Sequence, residues 1–222
     1  MSVGGAPMIR RAGVVGDVHH EHEHLLAAIE LFGRLGSDHL LCVGDLPDGP
    51  GDADDLQRCC ELLQQHGFIT VGGNHERWLL DDMMRDLPHA ILREELDPET
   101  LQYLQQLPLT VELQTAAGAA LLCHGLGEDD MSKVVPHDHA AALAKNEALQ
   151  SLLAKGQHRF VINGHSHRFM AREIEGLTIL NAGTLLRSAE PGCLWLDFEA
   201  RIAQWHAFGA SDALELASEQ PF

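Results

Sequence analysis

The spacing of apolar and polar positions divides the chain into two halves with different periods. In the first half an apolar run at Ala12 to Val15 precedes a helix-like stretch at Glu21 to Leu35, a strand at Leu40 to Val43, a helix at Asp54 to Gln65 and a strand at Phe68 to Val71. Strands alternating with helices of this length predict βαβαβ units, and hence a largely parallel sheet with crossover helices. Residues 76–107 read as mostly helical, broken near Pro88 and restarted at Asp97-Pro98-Glu99, where an aspartate cap precedes proline at the first helical position. Strands follow at Leu109 to Leu113 and Ala119 to Cys123, then a polar segment from Gly125 to Asp138, a helix through Leu153 and a strand at Arg159 to Ile162. From Phe169 to Phe208 short β-like runs alternate with glycine turns, which predicts a more antiparallel sheet. No linker or internal repeat marks a boundary, so one domain over residues 1–222 is expected.

Composition narrows the class. Hydrophobic residues make up 45 % and charged residues 22 % of the 222 positions, the balance of a globular protein and not of a disordered one. No apolar run approaches the roughly 18 to 20 residues that a membrane-spanning helix needs, so a soluble protein without membrane association is expected. The segment Met1 to Arg11 has no hydrophobic stretch ahead of a small-residue cleavage site. Five cysteines (Cys42, Cys59, Cys60, Cys123, Cys193) lack CxxC spacing and suggest neither a disulfide framework nor a zinc ribbon, which points to a reducing, cytoplasmic setting. A formal charge of −18 disfavours broad nucleic-acid binding. Oligomeric state leaves no trace in the pattern.

Fifteen histidines against fifteen lysines and arginines together is a biased ratio, and histidine is the commonest metal ligand. Five polar clusters follow five predicted strands: Gly16-Asp17-Val18-His19, Gly44-Asp45-Leu46-Pro47-Asp48, Gly73-Asn74-His75-Glu76, Cys123-His124-Gly125 and Asn163-Gly164-His165-Ser166-His167. A hydrophobic core asks for no such repetition. Alone, Asp17, Asp45 or Asn74 reads as a turn or cap residue. Together the clusters supply what a pair of divalent cations needs, ligands from several loops and a carboxylate able to reach both ions. Imidazole, carboxylate and amide oxygen suit manganese, iron, zinc or related ions.

The order D-x-H, G-D-x-x-D, G-N-H-E, H-G and G-H-x-H from Gly16 to His167 resembles the calcineurin-like metallophosphoesterase superfamily, and Asn181-Ala182-Gly183-Thr184 is similar to its bacterial small phosphoesterases. The resemblance implies an α/β fold, a four-layer α-β-β-α sandwich of two mixed sheets with metal-binding loops at one edge. It implies two divalent ions (Mn, Fe, Zn, Ni or Mg, with Mn favoured), one on Asp17, His19, Asp45 and His167, the other on Asp45, Asn74, His124 and His165. It also implies hydrolysis of a small phosphorylated substrate, a phosphodiester or phosphomonoester, by a metal-bridging hydroxide. His75 would be the general acid for the leaving group and Asp48 its partner.

The motifs also depart from the family. Its protein phosphatases and dinucleoside polyphosphate hydrolases continue the second motif as Asp-Arg-Gly, whereas Asp48 is followed here by Gly49 and Pro50. Those two activities are the enzymatic alternatives, and a catalytically silent binding scaffold is the non-enzymatic one. Arg77 has two readings, a substrate phosphate contact or a helix-surface ion pair with Asp81. The run His20-Glu21-His22-Glu23-His24 reads as a solvated helix start, and His137 and His139 as candidate substrate contacts in the polar segment. Cys42 and Cys123 read as small buried apolar residues.

Overall fold

Strand β1 (Arg11–Val15) shows how the layers arise. In the computed structural model, which describes residues 8–209 and 213–222, its successive side chains point to opposite sides. Ala12 and Val14 enter one apolar cluster and Val15 another. On the Val15 side Gly13 lies against helix α1 (His22–Leu35), where a β-carbon would come 2.2 Å from the Phe32 ring. Only glycine lets the helix settle this close to the strand.

Strands β1, β2 (His39–Cys42) and β3 (Ile69–Thr70) run parallel, joined by the crossover helices α1 and α2 (Ala53–Gln65). The α2 start is fixed by a capping box: Asp52 accepts from the Asp54 and Asp55 amides, and Asp55 accepts from the Asp52 amide. Beyond β3 come α3 (Asn74–Leu80) and α4 (Pro98–Gln106), the latter capped by Asp97 with Pro98 in its first turn as expected. On the other flank of β1, three antiparallel strands extend the sheet: β9 (Gly192–Asp197), β10 (Ile202–Phe208) and β11 (Leu214–Pro221). The second sheet has the order β4 (Thr110–Thr115), β5 (Gly118–Cys123), β6 (Phe160–Asn163), β8 (Leu177–Ala182), β7 (Phe169–Ile174).

Apolar side chains of both sheets fill the space between them, Phe160, Leu122 and Leu180 from one meeting Val14, Leu41 and Trp205 from the other. Residues of α1, α2 and α4 cover the outer face of the first sheet, and Leu149 of α6 (Glu147–Lys155) joins the cluster on the outer face of the second. This is the α-β-β-α sandwich of two mixed sheets that the motifs implied. Among the described residues no helix is long and apolar enough to cross a membrane. The five cysteines are free and buried, as small apolar side chains.

Several expectations require correction. Residues 81–92 are not helical; α3 stops at Leu80, and only a 3-10 turn at Arg93–Glu95 precedes α4. The helix expected through Leu153 is two short ones, α5 (Ala140–Lys145) and α6, broken at Asn146, whose side chain accepts from the Leu149 amide. The final third is mostly antiparallel as expected, in the pairs β7–β8, β1–β9, β9–β10 and β10–β11, but it is divided between the two sheets and β8 also pairs in parallel with β6. Strand β11 escaped the hydrophobic pattern because its side chains are mostly exposed on this sheet edge. Of the amino-terminal segment read for a leader, residues 1–7 lie outside the described residues.

Phe160 is fully buried between the sheets and meets the rings of Phe198 and Phe222 edge-on. Phe160→Ala should lower stability by about 3 to 5 kcal/mol in urea unfolding. A loss under about 1 kcal/mol would mean that the inter-sheet core is not packed as described.

Candidate metal centre

The five strand-tip clusters converge on one edge of the sandwich. Asp17 and His19 follow β1, Asp45 follows β2, Asn74 and His75 open α3 after β3, His124 follows β5, and His165 and His167 follow β6. Both sheets therefore contribute, at the carboxyl ends of their strands, where open α/β sheets bind ligands. Potential ligand atoms of Asp17, His19 and His167 lie within 4.8 Å of one another, as do those of Asp45, His124 and His165 and those of His19, Asp45 and His75. Asp45 and His19 each belong to two of these groups, so the clusters adjoin. Asn74 joins them through Oδ1, 3.0 Å from His124 Nε2.

The loops that carry these groups are bent in a specific way. Asp17, His19, Asp45, Asp48, His165 and His167 all have positive φ, between 47° and 63°. Aspartate and histidine enter this left-handed region more readily than most residues, at some cost, and such conformations persist where surrounding bonds hold them. Thr184 Oγ1 and the Leu185 amide donate to the Asp17 carbonyl, and the Asp17 amide donates to Gly44. Buried Glu76 accepts from the amides of Asp45, Leu46 and Gly73 at 3.0, 2.7 and 2.7 Å, binding the second loop to the third. Asn181 donates to Asn163 Oδ1 and the Gly164 carbonyl, fixing the turn before His165.

The electrostatics of the cluster are unbalanced in one direction. His19 Nδ1 faces the carbonyls of Pro47 and Asp48 at 3.1 and 2.9 Å and must donate to them, which leaves its buried Nε2 as a bare lone pair without a partner. His124 Nδ1 donates to the Val43 carbonyl at 2.7 Å, so its Nε2 also points a lone pair, here at Asn74 Oδ1 and at Asp45 Oδ2 3.1 Å away. Lone pairs facing oxygen atoms in a buried site require a positive charge between them, a proton or a metal ion. The pKa shifts express the same demand. Burial opposes charge on His124, yet Asp45 overrides it and pushes the imidazole up to about 10. Burial also opposes charge on Asp45, and His124 pulls that carboxyl well below the ordinary range. His19 and His165 are shifted downward, by burial first, whereas at His167 burial is outweighed by the Asp17 carboxylate, which raises it. This donor set, imidazoles, carboxylates and one amide oxygen, fits divalent transition-metal ions.

His75 stands beside the cluster. Its Nδ1 lies 2.8 Å from Asp48 Oδ2, its Nε2 4.0 Å from Asp45 Oδ2, and Trp78 covers it edge-on at 4.6 Å. Burial lowers the His75 pKa, but the Asp48 hydrogen bond and the charges of Asp45 and Asp48 raise it overall. The mouth beside His165 and His167 continues into a cavity of about 610 Å³ that also touches Arg168, Ser188 and Glu190. A second cavity of about 550 Å³ shares Ser166, Arg168 and Glu190 with it and reaches His137.

Other sites differ from expectation. Arg77 does not pair with Asp81; its Nε and Nη2 grip Asp130 at 2.7 and 2.8 Å, a partner 53 positions away that helix spacing could not indicate. That fork also occupies the guanidinium proposed for substrate phosphate. The His20 to His24 run is not a solvated face. His20, Glu21 and His24 are buried, because this turn packs under the segment after β8: Glu21 takes the Arg187 amide and Nε, and His24 donates to the Leu185 carbonyl. His22 pairs with Asp55, and Glu23 is exposed. His139 accepts from the Ala142 amide and caps α5, whereas His137 lines the second cavity. Sequence reasoning assigned no role to Glu76, Asn181 or Thr184, although each lay inside a quoted motif. It missed Arg85 altogether, which grips Asp48 from 37 positions away.

Comparison with known proteins agrees with the geometry. Residues 11–201 match the family model described as the calcineurin-like phosphoesterase superfamily domain. An uncharacterised protein of Methanocaldococcus jannaschii, MJ0912, is 24% identical over 179 residues, 78% of this chain and 68% of that protein. Among solved structures the fold is similar to the hypothetical protein PH1004 of Pyrococcus horikoshii (TM-score 0.71, 12% identity, 88% of this chain and 86% of the other). It is also similar to a metallophosphoesterase from Sphaerobacter thermophilus (TM-score 0.56, 18% identity, 95% and 88%).

Gly164 touches the cluster from behind: a β-carbon there would lie 2.4 Å from Asp17 Oδ2 and 2.7 Å from a Val43 methyl. Gly164→Ala should therefore displace Asp17 and cost about 1 to 3 kcal/mol in denaturant unfolding. An unchanged midpoint would mean that the His165 turn does not press on Asp17.

Proposed function

The chain belongs to the calcineurin-like phosphoesterase superfamily, and from that premise we propose that it hydrolyses phosphodiesters or phosphomonoesters of small substrates with two divalent metal ions, manganese favoured. The observation that carries this reading is the position of Asp45 between two groups of ligand atoms, with the unpartnered Nε2 of His19 and the Nε2 of His124, beside Asn74 and Asp45, directed into the site. Asp17, His19, Asp45 and His167 would hold one ion, and Asp45, Asn74, His124 and His165 the other. When bound, such a pair supplies Lewis acidity, lowering the pKa of water and offsetting negative charge on the phosphoryl oxygens.

The residues around the ligands do the rest. Two carboxylates, Asp17 and Asp45, against two divalent cations leave a formal surplus of positive charge, so a phosphate is attracted locally to a protein of net charge −18. His75 keeps Nδ1–H on Asp48, which leaves Nε2–H to protonate the departing alkoxide; the raised pKa of this imidazole favours the charged form that the role needs. The cavity beside His165 and His167 offers room for the organic part of a substrate.

Two features speak against a phosphoprotein or dinucleoside polyphosphate substrate. A β-carbon at Gly49 would lie 1.8 Å from the His19 carbonyl oxygen, so this loop has no space for the arginine that those enzymes carry after the second-motif aspartate. Arg77, the other candidate clamp, is engaged by Asp130. The full ligand set and the His75–Asp48 pair favour catalysis over a silent scaffold.

Turnover of bis-p-nitrophenyl phosphate, p-nitrophenyl phosphate, diadenosine tetraphosphate and a phosphopeptide should be compared with Mn(II), Fe(II), Zn(II) and Mg(II). Activity is expected on the first two and should vanish on chelation; full activity of metal-free protein, or turnover confined to the last two, would overturn the reading. His75→Ala should lower kcat on an ester with a poor leaving group by about 10² to 10⁴ while the metal content stays the same. Wild-type turnover by that variant would remove His75 from the mechanism.

A further inference from the structure

The carboxylate of Asp48 is saturated. Oδ1 accepts from Arg85 Nη1 at 2.9 Å and from the Ile91 amide at 3.0 Å; Oδ2 accepts from Arg85 Nη2 at 2.7 Å and from His75 Nδ1 at 2.8 Å. An ionised carboxylate has about four acceptor positions, and all of them are used here. The pair is secluded, the Arg85 side chain 11 % and that of Asp48 2 % exposed. Buried two-pronged contacts of this kind fix the plane of the carboxylate as well as its charge, which a single lysine donor would not do.

Arg85 lies in the irregular segment between α3 and α4 and holds that segment together. Its Nε donates to the Met83 carbonyl and its Nη1 also donates to the Ile91 carbonyl, both at 2.7 Å. Ile91 is buried in the core beneath α1 and α2, while Met83 and Met84 at the bend are among the exposed large apolar side chains. One guanidinium therefore joins three things: the bend at Met83, the buried anchor at Ile91 and the oxygen that orients His75. A segment needing only an anchor could use any acceptor. This one uses the carboxylate on which the tautomer and ring orientation of His75 depend.

We propose that Arg85 is a positioning residue for the reaction: by forking onto Asp48 it fixes the orientation of His75, and it makes the seating of residues 81–92 a condition for proton donation to the leaving group. The inference rests on the role of His75 given above. Residues with well-fixed hydrogen-bond partners behind an active group typically contribute about 10- to 100-fold in activity. That contribution should appear in kcat and not in KM, and only where the leaving group needs a proton.

The test compares Arg85→Ala, Arg85→Lys, His75→Ala and the double variant Arg85→Ala/His75→Ala, with folding checked by circular dichroism. On an alkyl phosphoester Arg85→Ala should lower kcat about 10- to 100-fold with little change in KM, whereas on a p-nitrophenyl ester, whose leaving group departs without a proton, the loss should stay within about threefold. Arg85→Lys keeps the charge without the fork and should resemble Arg85→Ala. In the His75→Ala background, removing Arg85 should cost almost nothing more. Equal losses on both esters, a KM effect, full activity of Arg85→Lys or additive losses in the double variant would each overturn the proposal.

A second readout does not depend on turnover. In proton NMR of the zinc-loaded protein, the Nδ1–H of His75, assigned by its loss in His75→Ala, should be a slowly exchanging downfield signal. In folded Arg85→Ala it should disappear or broaden. An unchanged signal would overturn the positioning role whether or not any ester is cleaved, whereas a wild-type protein that turns over no phosphoester, with this signal lost as expected, would overturn the phosphoesterase reading alone.

Discussion

Everything at the active edge follows from an excess of electron pairs in a small buried volume. Asp17 and Asp45 are essentially inaccessible to solvent, and backbone carbonyls orient the imidazoles of His19 and His124 so that their Nε2 atoms face inward. Among the described residues no lysine or arginine pairs with Asp17 or Asp45, so the proposed cations are the natural counterweight. The backbone around the site meets the same demand. Five left-handed aspartates and histidines, Asp17, His19, Asp45, His165 and His167, carry their side chains into the cluster, and bonds from Glu76, Asn181 and Thr184 hold those loops in conformations that they would not adopt alone.

The sandwich makes this convergence possible because the site belongs to neither sheet alone. Asp17 and Asp45 leave the first sheet, His124, His165 and His167 leave the second, and the hydrogen bond from His124 to the Val43 carbonyl crosses between them. The inter-sheet core around Phe160 and Trp205 sets their separation. Close contacts at Gly13, Gly73 and Gly164 show how little tolerance remains: at Gly73 a β-carbon would meet Asp45 Oδ1 at 2.3 Å and His124 Nδ1 at 2.8 Å. Packing far from the site and placement of the ligands within it are thus one problem, solved together by the sheet geometry.

Much of this was legible in the sequence because it depends on local pattern. The βαβαβ opening, the Asp97-Pro98 helix start and the five polar clusters each announce themselves within a few residues. What stayed hidden depends on contacts between remote segments. Arg77 finds Asp130 and Arg85 finds Asp48 across spans that no helical or strand period links. The His20 to His24 turn looks solvated because it is polar, yet His20, Glu21 and His24 are buried where Arg187 returns from the other end of the chain to neutralise Glu21. Strand β11 is invisible for the opposite reason, having little to bury and so no alternation to show.

The most direct measurement is anomalous diffraction from crystals grown with Mn(II), recorded just above and below the manganese edge. The expected result is two peaks about 3.5 to 4 Å apart, with the Asp45 carboxylate touching both. A single peak, or two peaks of which Asp45 touches only one, would contradict the shared-carboxylate centre on which the proposed chemistry depends.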